Sequence, residues 1–328
     1  MNDIIKKAQQ IGINPSQNKG QNFLIDEEVL QGIITIADIK KKDQILEIGP
    51  GFGVLTRELL YAGADVLSVE LDKKLAAYLK KEFKDNSHLQ ILEKDILSVS
   101  NQEIFKALNG AFRVVSNIPY HITGKIIKKL VSSELPKPES AVLLVQKEVA
   151  ERVCAEKGNM SMLALSVQAY ACPRIALDVD KESFWPVPKV DSSVLVIEGI
   201  RETLRTPLCP PLVKGGKGGE ASLEKGGEAS LEKGGEASLE KGGEASLEKG
   251  GEASLEYKGG NFDEKRFWQV ARIGFSSPRK QLRNNLGHGL RIDQGVVSAT
   301  LESIGLKHTV RAQELGVDDW LGLITALD

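Results

Sequence analysis

Short apolar runs alternate with amphipathic stretches over the first two hundred positions of the chain. Segments 53–62 and 73–83 have the periodicity of helices, and runs with the length and composition of buried strands occur at 43–48, 65–70, 89–93, 112–116 and 141–146. Strands that alternate with helices predict a mostly parallel sheet covered by helices on both faces. We therefore expect an α/β fold of the Rossmann-like type in this part of the chain.

The pattern changes in the last seventy residues. Helical periodicity recurs at 263–274, 277–286, 294–304 and 312–326, with Gly-containing turns between the segments. These segments predict a small all-helical C-terminal domain. The expected organisation is an α/β domain at 1–200, a linker at 201–258 and a helical domain at 259–328.

The linker contains five tandem octads of the form GGEASLEK, from Gly218 to Tyr257. Each octad offers only Ala and Leu for burial, which is too little to offset the entropy of ordering a glycine pair. Six residues between glycine pairs are also too few to form a stable isolated helix. We expect a disordered, solvated insert, with a tether for a binding partner as the alternative.

Composition and charge describe a globular protein, and the charge is unevenly distributed. The chain of 328 residues has 41% hydrophobic residues and a formal net charge of -2, so a disordered chain is excluded. The five octads contain ten Glu and four Lys, so the other 288 residues carry 39 basic and 35 acidic side chains, a net charge of +4. That balance is compatible with a nucleic-acid partner. No apolar run approaches the roughly 18 residues of a membrane span, and we expect a cytoplasmic protein.

A glycine-rich loop follows the first of the predicted strands. It reads Gly49-Pro50-Gly51-Phe52-Gly53, and the next strand ends at Glu70, 19 residues beyond Gly51. An acid at this place accepts hydrogen bonds from ribose hydroxyls in doubly wound nucleoside-binding sheets. A nicotinamide dehydrogenase would have GxGxxG, whereas here the loop is GxGxG.

Two further acids indicate a ligand other than a nicotinamide cofactor. Glu47 precedes the glycine loop by two residues and suits a cationic or amine-bearing ligand better than a phosphate. Asp95 follows the third strand, where a carboxylate can meet an adenine amino group. These acids favour S-adenosylmethionine, which carries an amino group and a sulfonium but no phosphate. A capping role is the alternative for each acid alone.

The fourth strand is followed by Asn117-Ile118-Pro119-Tyr120. An exocyclic amine conjugated to a purine is a poor nucleophile until hydrogen-bond acceptors localise its lone pair. The Asn117 side-chain oxygen and the carbonyl of Ile118 or Pro119 can accept both amine protons, while the Tyr120 ring stacks on the base. This segment predicts N-methylation of a purine.

Several motifs, in this order and spacing, resemble the rRNA adenine N6-dimethyltransferases. They are QNFLID at 21–26, LEIGPG at 46–51, Glu70, Asp95, NIPY at 117–120, QKEVAER at 146–152, FWPVPKVDS at 184–192 and FSSPRKQLRNNL at 275–286. The resemblance covers about 15–200 and resumes at 275. It implies a class I S-adenosylmethionine-dependent methyltransferase domain. The closest likeness is to the bacterial branch that dimethylates two adjacent adenosines near the 3′ end of 16S rRNA, with a role in small-subunit biogenesis.

The resemblance also implies roles for individual residues. Asn117, Pro119 and Tyr120 would hold the target adenine, and Phe184 would stack on its other face. No metal ion is expected, and the family precedent is a monomer that acts on 16S rRNA in the 30S subunit or its precursor. The residues expected to contact or flank S-adenosylmethionine are Asn22, Leu24, Gly49, Gly51, Glu70, Asp95 and Asn117.

Basic side chains suggest where RNA binds. Arg279, Lys280 and Arg283 cluster at helical spacing, and Lys6, Lys7 and Lys19 precede the first motif. A solvated helix face is the alternative for such a cluster, but the resemblance favours contact with RNA. The target base must be unpaired or flipped out of its stack to be methylated.

Two other functions remain open from the sequence. One is the related 23S rRNA adenine methylation that confers macrolide resistance, which shares the glycine loop and NIPY. The QKEVAER segment and the basic segment of the helical domain favour the 16S enzyme. The other is a catalytically idle RNA-binding assembly factor, against which the intact cofactor and NIPY motifs argue.

Overall fold

The computed structural model describes residues 2–13, 15, 21–131, 134–204 and 263–327. Their main sheet contains β2 (Gln44–Ile48), β3 (Asp65–Glu70), β4 (Leu89–Glu93), β5 (Arg113–Asn117), β6 (Ala141–Gln146), β7 (Cys172–Val179) and β9 (Ser192–Glu198). The order across the sheet is β4-β3-β2-β5-β6-β9-β7. The pairs from β4 to β6 are parallel, and β9 is antiparallel to β6 and β7. The predicted mostly parallel sheet is confirmed, and β7 and β9 extend it.

A short antiparallel ribbon stands apart from this sheet. β1 (Phe23–Leu24) pairs with β8 (Phe184–Trp185), so that Leu24 lies opposite Phe184. Asp26 caps the following helix and accepts a hydrogen bond from the Ser183 hydroxyl at 2.8 Å. The ribbon therefore joins two motifs that are about 160 residues apart in the chain.

Helices cover both faces of the main sheet. Those before the undescribed segment 205–262 are α1 (Asn2–Gln10), α2 (Glu27–Ala37), α3 (Val54–Tyr61), α4 (Lys73–Glu82), α5 (Asn101–Ala107), α6 (Thr123–Val131), α7 (Lys147–Val153) and α8 (Met162–Gln168). Ile45 and Val115 pack with α2 and α3 on one face. Leu46 and Val114 point the other way and are equally buried. Both faces are apolar, as parallel strands buried on two sides require.

The C-terminal helices are α9 (Glu264–Gly274), α10 (Leu282–Leu290), α11 (Gln294–Ser303) and α12 (Val317–Leu327). The predicted helix 277–286 was wrong at its start, because 277–280 form a turn in which the Lys280 N–H donates to the Ser277 carbonyl. The predicted helix 312–326 begins later, since only a 3-10 turn occupies Ala312–Glu314. The fully buried Trp320 stacks on Phe275 with ring centroids 5.5 Å apart.

Polar contacts join the C-terminal helices to the sheet region. The Gln313 carbonyl accepts hydrogen bonds from the backbone N–H groups of Gly158 and Met160, at 3.0 Å each. The Tyr170 hydroxyl donates to Glu264, and the Trp268 ring N–H donates to the Tyr170 hydroxyl at 3.0 Å. The described residues up to 204 and from 264 onward form one compact unit. The domain boundaries near 200 and 259 stay a prediction.

The chain on either side of the undescribed segment 205–262 reaches Tyr170. The Arg201 N–H donates to the Tyr170 carbonyl at 2.9 Å, and Glu264 contacts the Tyr170 hydroxyl. The expected disorder of the octads at 218–257 concerns residues outside those that the structure describes. Within the described ranges, none of the helices has both the length and the apolar character needed to cross a membrane.

Candidate active site

The glycine loop turns sharply where β2 ends and α3 begins. Gly49 and Gly51 have φ values of +67° and +59°, a left-handed conformation that side chains disfavour. A Cβ at Gly51 would also lie 2.9 Å from the Phe23 ring. The loop therefore requires glycine for its backbone shape and for close packing against β1.

Glu70 ends β3 and faces the glycine loop. One carboxylate oxygen accepts the Gly51 N–H at 3.2 Å, and the other accepts the Asp72 N–H at 2.9 Å. Burial raises the pKa of Glu70 above its ordinary value. Each oxygen has a second lone pair, so the carboxylate can accept two further hydrogen bonds from a ligand such as a ribose.

Glu47 lies beneath the loop and has a different environment. It is 1% exposed, and one of its oxygens accepts hydrogen bonds from Thr56 of α3 at 2.6 Å and Ser68 of β3 at 2.8 Å. Burial raises the pKa of Glu47 to about 7, with a smaller contribution from the nearby Glu70 charge. Through these hydrogen bonds Glu47 links β2, β3 and α3. It is also a candidate for contact with a ligand.

Asp95 is exposed and follows the end of β4 by two residues. One of its oxygens accepts the Leu97 N–H at 2.9 Å and so caps a 3-10 turn. The predicted capping role is therefore real, and it leaves the second carboxylate oxygen for a ligand.

These strand ends surround a cavity of about 690 Å³ at the carboxyl edge of the sheet. The strand order reverses between β2 and β5, and open α/β sheets bind ligands at such a switch point. The volume is within the range of small-molecule sites. Of the predicted site residues, those that line the cavity are Asn22, Leu24, Gly49, Gly51, Glu70, Asp95, Asn117, Pro119 and Tyr120.

Asn117 is oriented by a contact from a distant part of the chain. Its side-chain N–H donates to the Asn22 carbonyl at 3.3 Å, across 95 residues. This bond engages the donor end of the amide, so the oxygen is the end available to accept hydrogen from a ligand. The arrangement suits an amine as the partner.

The backbone after Asn117 offers a second acceptor. The Pro119 carbonyl already accepts hydrogen bonds from the Ile122 N–H at 3.3 Å and the Thr123 hydroxyl at 3.2 Å. Of the two carbonyls predicted from the sequence, that of Ile118 is therefore the better candidate to accept a substrate proton.

Tyr120 is half-buried at the cavity wall. Its hydroxyl lies 2.6 Å from the hydroxyl of Ser192 in β9. The Phe184 ring meets the Tyr120 ring edge-on, with centroids 6.4 Å apart and planes at 72°. Burial raises the pKa of the Tyr120 hydroxyl.

Phe184 is placed differently from what its predicted role requires. It is 1% exposed, belongs to the core with α2 and α3, and is not among the residues that line the cavity. In this arrangement it packs against the Tyr120 ring and does not present a face to the cavity. Stacking of Phe184 on a base stays a prediction that requires its side chain to move.

Sequence reasoning missed other residues of this region. Gly12 and Ile13, which follow α1, line the cavity, and the Lys74 ammonium donates to the Gly12 carbonyl at 2.9 Å. No pattern in the sequence indicates that contact. Ser192 lies in the FWPVPKVDS segment, so the sequence marked its neighbourhood. Its contact with Tyr120 could not be predicted from the spacing of the two residues in the sequence.

The basic candidates for RNA contact do not share one helix face. Arg279 and Lys280 are exposed in the turn before α10, and Arg283 lies in the first turn of α10 with its side chain donating to Gln281 at 3.0 Å. The predicted helical spacing was therefore wrong for this group. Lys7 forms an ion pair with Glu82 at 3.5 Å, and Lys19 is outside the described residues.

Comparison with known proteins identifies the family to which the chain belongs. A family model described as ribosomal RNA adenine dimethylase matches residues 14–207. A relative from Dehalococcoides mccartyi is 32% identical over 301 residues, which are 92% of this chain and 84% of that protein. A relative from Lactobacillus acidophilus is 42% identical over 202 residues, which are 58% of this chain and 68% of that protein. Both are named ribosomal RNA small subunit methyltransferase A.

Two solved structures share the fold. The 23S rRNA methyltransferase ErmE is 24% identical with a TM-score of 0.60, and the match covers 94% of this chain and all of that one. A dimethyladenosine transferase from Plasmodium falciparum is 23% identical with a TM-score of 0.62, covering 92% and 95% of the two chains.

Proposed function

Because the chain belongs to the ribosomal RNA adenine dimethylase family, we propose that it dimethylates the N6 amino groups of two adjacent adenosines near the 3′ end of 16S rRNA. The methyl donor is S-adenosylmethionine, and the substrate is the 30S subunit or its precursor, which puts the activity in the cytoplasm. The observation that carries the proposal is the oriented amide of Asn117, whose oxygen is the free end, beside a cavity bordered by the acids Glu70 and Asp95.

The residues at the strand ends fit the methyl donor. Glu70 keeps a lone pair on each oxygen for the two ribose hydroxyls, and Asp95 keeps one oxygen for the adenine amino group. The glycine loop admits the ligand close to the main chain. Asn22 and Leu24 border the same cavity from the β1 side. When bound, S-adenosylmethionine supplies an electrophilic methyl group on a sulfonium.

Asn117 and its neighbours prepare the amine that receives the methyl group. The Asn117 oxygen and the Ile118 carbonyl accept the two N6 protons, which localises the nitrogen lone pair towards the methyl group. Tyr120 stacks on the base and fixes its plane. A C–N bond forms as the S–C bond breaks, and one amine proton is released to water. Precise placement of the two reactants supplies much of the rate enhancement.

RNA contact is assigned to the region around α10. Arg279 and Lys280 are exposed, so their side chains can reach phosphates without breaking a buried contact. Arg283 joins them if it exchanges its contact with Gln281 for a phosphate. A monomer is the expected state.

The decisive experiment measures where labelled methyl groups go. Purified protein is incubated with labelled S-adenosylmethionine and, in parallel, with unmethylated 30S particles, 50S particles or naked 16S rRNA. We expect label in the 30S sample, with dimethyladenosine at two adjacent positions near the 3′ end of the RNA. Heat-inactivated protein is the control.

Each alternative function has its own result in that experiment. Label in 23S rRNA with none in the 30S sample would replace the proposal with the 23S activity, whose fold is shared. Tight binding to 30S particles without transfer to any RNA would indicate an assembly factor.

A further inference from the structure

We propose that Ser192 is a positioning residue for methyl transfer, because its hydroxyl holds the Tyr120 ring in the orientation that stacks on the target base. Ser192 does not line the cavity and acts only through Tyr120. The inference rests on the proposed function, since it assigns the ring a base to stack on.

The geometry places a fixed hydroxyl opposite a ring on a short turn. Tyr120 begins the 3-10 turn Tyr120–Ile122, which follows Pro119 directly. Ser192 is 0% exposed, and β9 is hydrogen-bonded on both sides, with Gln146 and Val179 as the partners of Ser192 in the neighbouring strands. The backbone of Ser192 therefore has little freedom. The 2.6 Å hydrogen bond restricts the position of the Tyr120 hydroxyl in turn.

Burial makes this hydrogen bond costly to break. A buried hydroxyl without a partner loses its hydration and gains nothing in return. Rotation of the Tyr120 ring away from its present orientation would leave the fully buried Ser192 hydroxyl in that condition. The Phe184 ring also packs against the Tyr120 ring, with planes at 72°. The hydroxyl contact and the ring contact together restrict the orientation of Tyr120.

The neighbouring serine provides a matched control. Ser193 is also 0% exposed on β9, but its hydroxyl donates to Asp178 at 2.7 Å, and Asp178 in turn contacts Lys147 at 2.8 Å. Successive side chains of a strand point to opposite faces, so Ser193 faces away from Tyr120. Ser193→Ala removes a similar buried hydrogen bond without touching the site.

The test is a double-mutant cycle on methyl transfer to 30S particles. Ser192→Ala and Tyr120→Phe each remove one side of the contact and keep the ring, and Ser192→Cys keeps the side-chain shape if the alanine variant folds poorly. We expect each single change to lower kcat/KM for the RNA by roughly five- to tenfold, with KM for S-adenosylmethionine unchanged. The double variant should lose no more than either single one, because the same bond is removed.

Two results would overturn the proposal. One is that Ser192→Ala and Ser193→Ala have the same activity, which would mean that Ser192 only stabilises the strand. The other is a double variant whose loss is the product of the two single losses, which would mean independent roles.

A second readout does not depend on the proposed function. In protein labelled at the tyrosine ζ-carbon, the Tyr120 signal is the one lost in Tyr120→Phe. Burial raises the pKa of Tyr120 and the Ser192 contact opposes that rise, so Ser192→Ala should move this titration to higher pH and Ser193→Ala should not. If wild-type protein methylates no RNA, the proposed function fails alone, and an unmoved Tyr120 titration would still overturn the role of Ser192.

Discussion

The two halves of the cavity are built in different ways. In the cofactor half, the part with Gly49, Gly51, Glu70 and Asp95 that we propose binds S-adenosylmethionine, contacts join neighbouring strand–helix units, and Glu70 accepts the Gly51 N–H across 19 residues. In the base half, the part lined by Asn117, Pro119 and Tyr120 that we propose holds the target base, contacts join residues far apart in the sequence. Asn117 is bonded to Asn22 across 95 residues and Tyr120 to Ser192 across 72.

This difference predicts that substitutions can impair cofactor binding and methyl transfer separately in this protein. The cofactor half depends on the turn after β2 and on acids at strand ends, which form once the parallel strands align. The base half depends on the ribbon of β1 and β8 and on β9 reaching the same place. Changes in the base half should therefore reduce methyl transfer while the fold and cofactor binding persist. Changes in the cofactor half should weaken cofactor binding while kcat at saturating cofactor persists.

The largest expected effect is that of Asn117→Ala in the base half. The variant loses the acceptor for the target amine, and removal of one such preorganised group from an active site typically costs about 10²–10³ in rate. We expect methyl transfer to 30S particles to fall at least that far, with measurable S-adenosylmethionine binding by calorimetry. The exposed Asn159→Ala serves as control. Transfer within a few-fold of wild type would refute the role given to Asn117.

Glu70→Ala tests the cofactor half and should give the next largest effect. Two charge-assisted hydrogen bonds to a ribose, each worth roughly 1.5–2 kcal/mol, would be lost. We expect the dissociation constant for S-adenosylmethionine to rise about a hundred- to thousandfold, with kcat at saturating cofactor within a few-fold of wild type. Glu93, opposite Glu70 in β4 and exposed, offers Glu93→Ala as the matched control. Equal cofactor affinity in the two variants would contradict the assignment.

Glu47→Gln tests the buried acid beneath the glycine loop through the pH dependence of protein stability. Because burial raises the pKa of Glu47 from an ordinary 4.5 to about 7, the folded protein holds this proton more tightly than the unfolded chain. The contribution of Glu47 to the free energy of unfolding is therefore greatest below pH 4.5 and declines as pH rises towards 7. Glutamine does not titrate, so the stability of the variant relative to wild type should rise by about 2–3 kcal/mol between pH 4.5 and pH 8.

Chemical denaturation at those two pH values measures this difference. Glu27→Gln, at an exposed position in the first turn of α2, controls for the loss of a carboxylate. Parallel changes with pH in wild type and Glu47→Gln would mean that the buried carboxyl does not titrate in this range.

Much of the cofactor half was predictable because its signals are local. The glycine loop, Glu70 and Asp95 follow consecutive strands, and parallel strands present their carboxyl ends at one edge. Helix starts were less predictable where tertiary contacts compete. The turn at 277–280 is an example, since Asn285 donates to the Gly274 and Ser277 carbonyls and stabilises a backbone that helical periodicity did not indicate.

The sequence by itself determined the alternation of strands and helices, the glycine loop after β2 and the NIPY segment that we propose binds the target amine, because each depends on residues close together in the chain. Only the tertiary structure decided that Asn22 orients Asn117, that Ser192 contacts Tyr120 and that the buried Phe184 packs against the Tyr120 ring. Those contacts depend on which strand lies beside which, and a side chain's partner across a sheet is set by strand order and register rather than by spacing in the sequence.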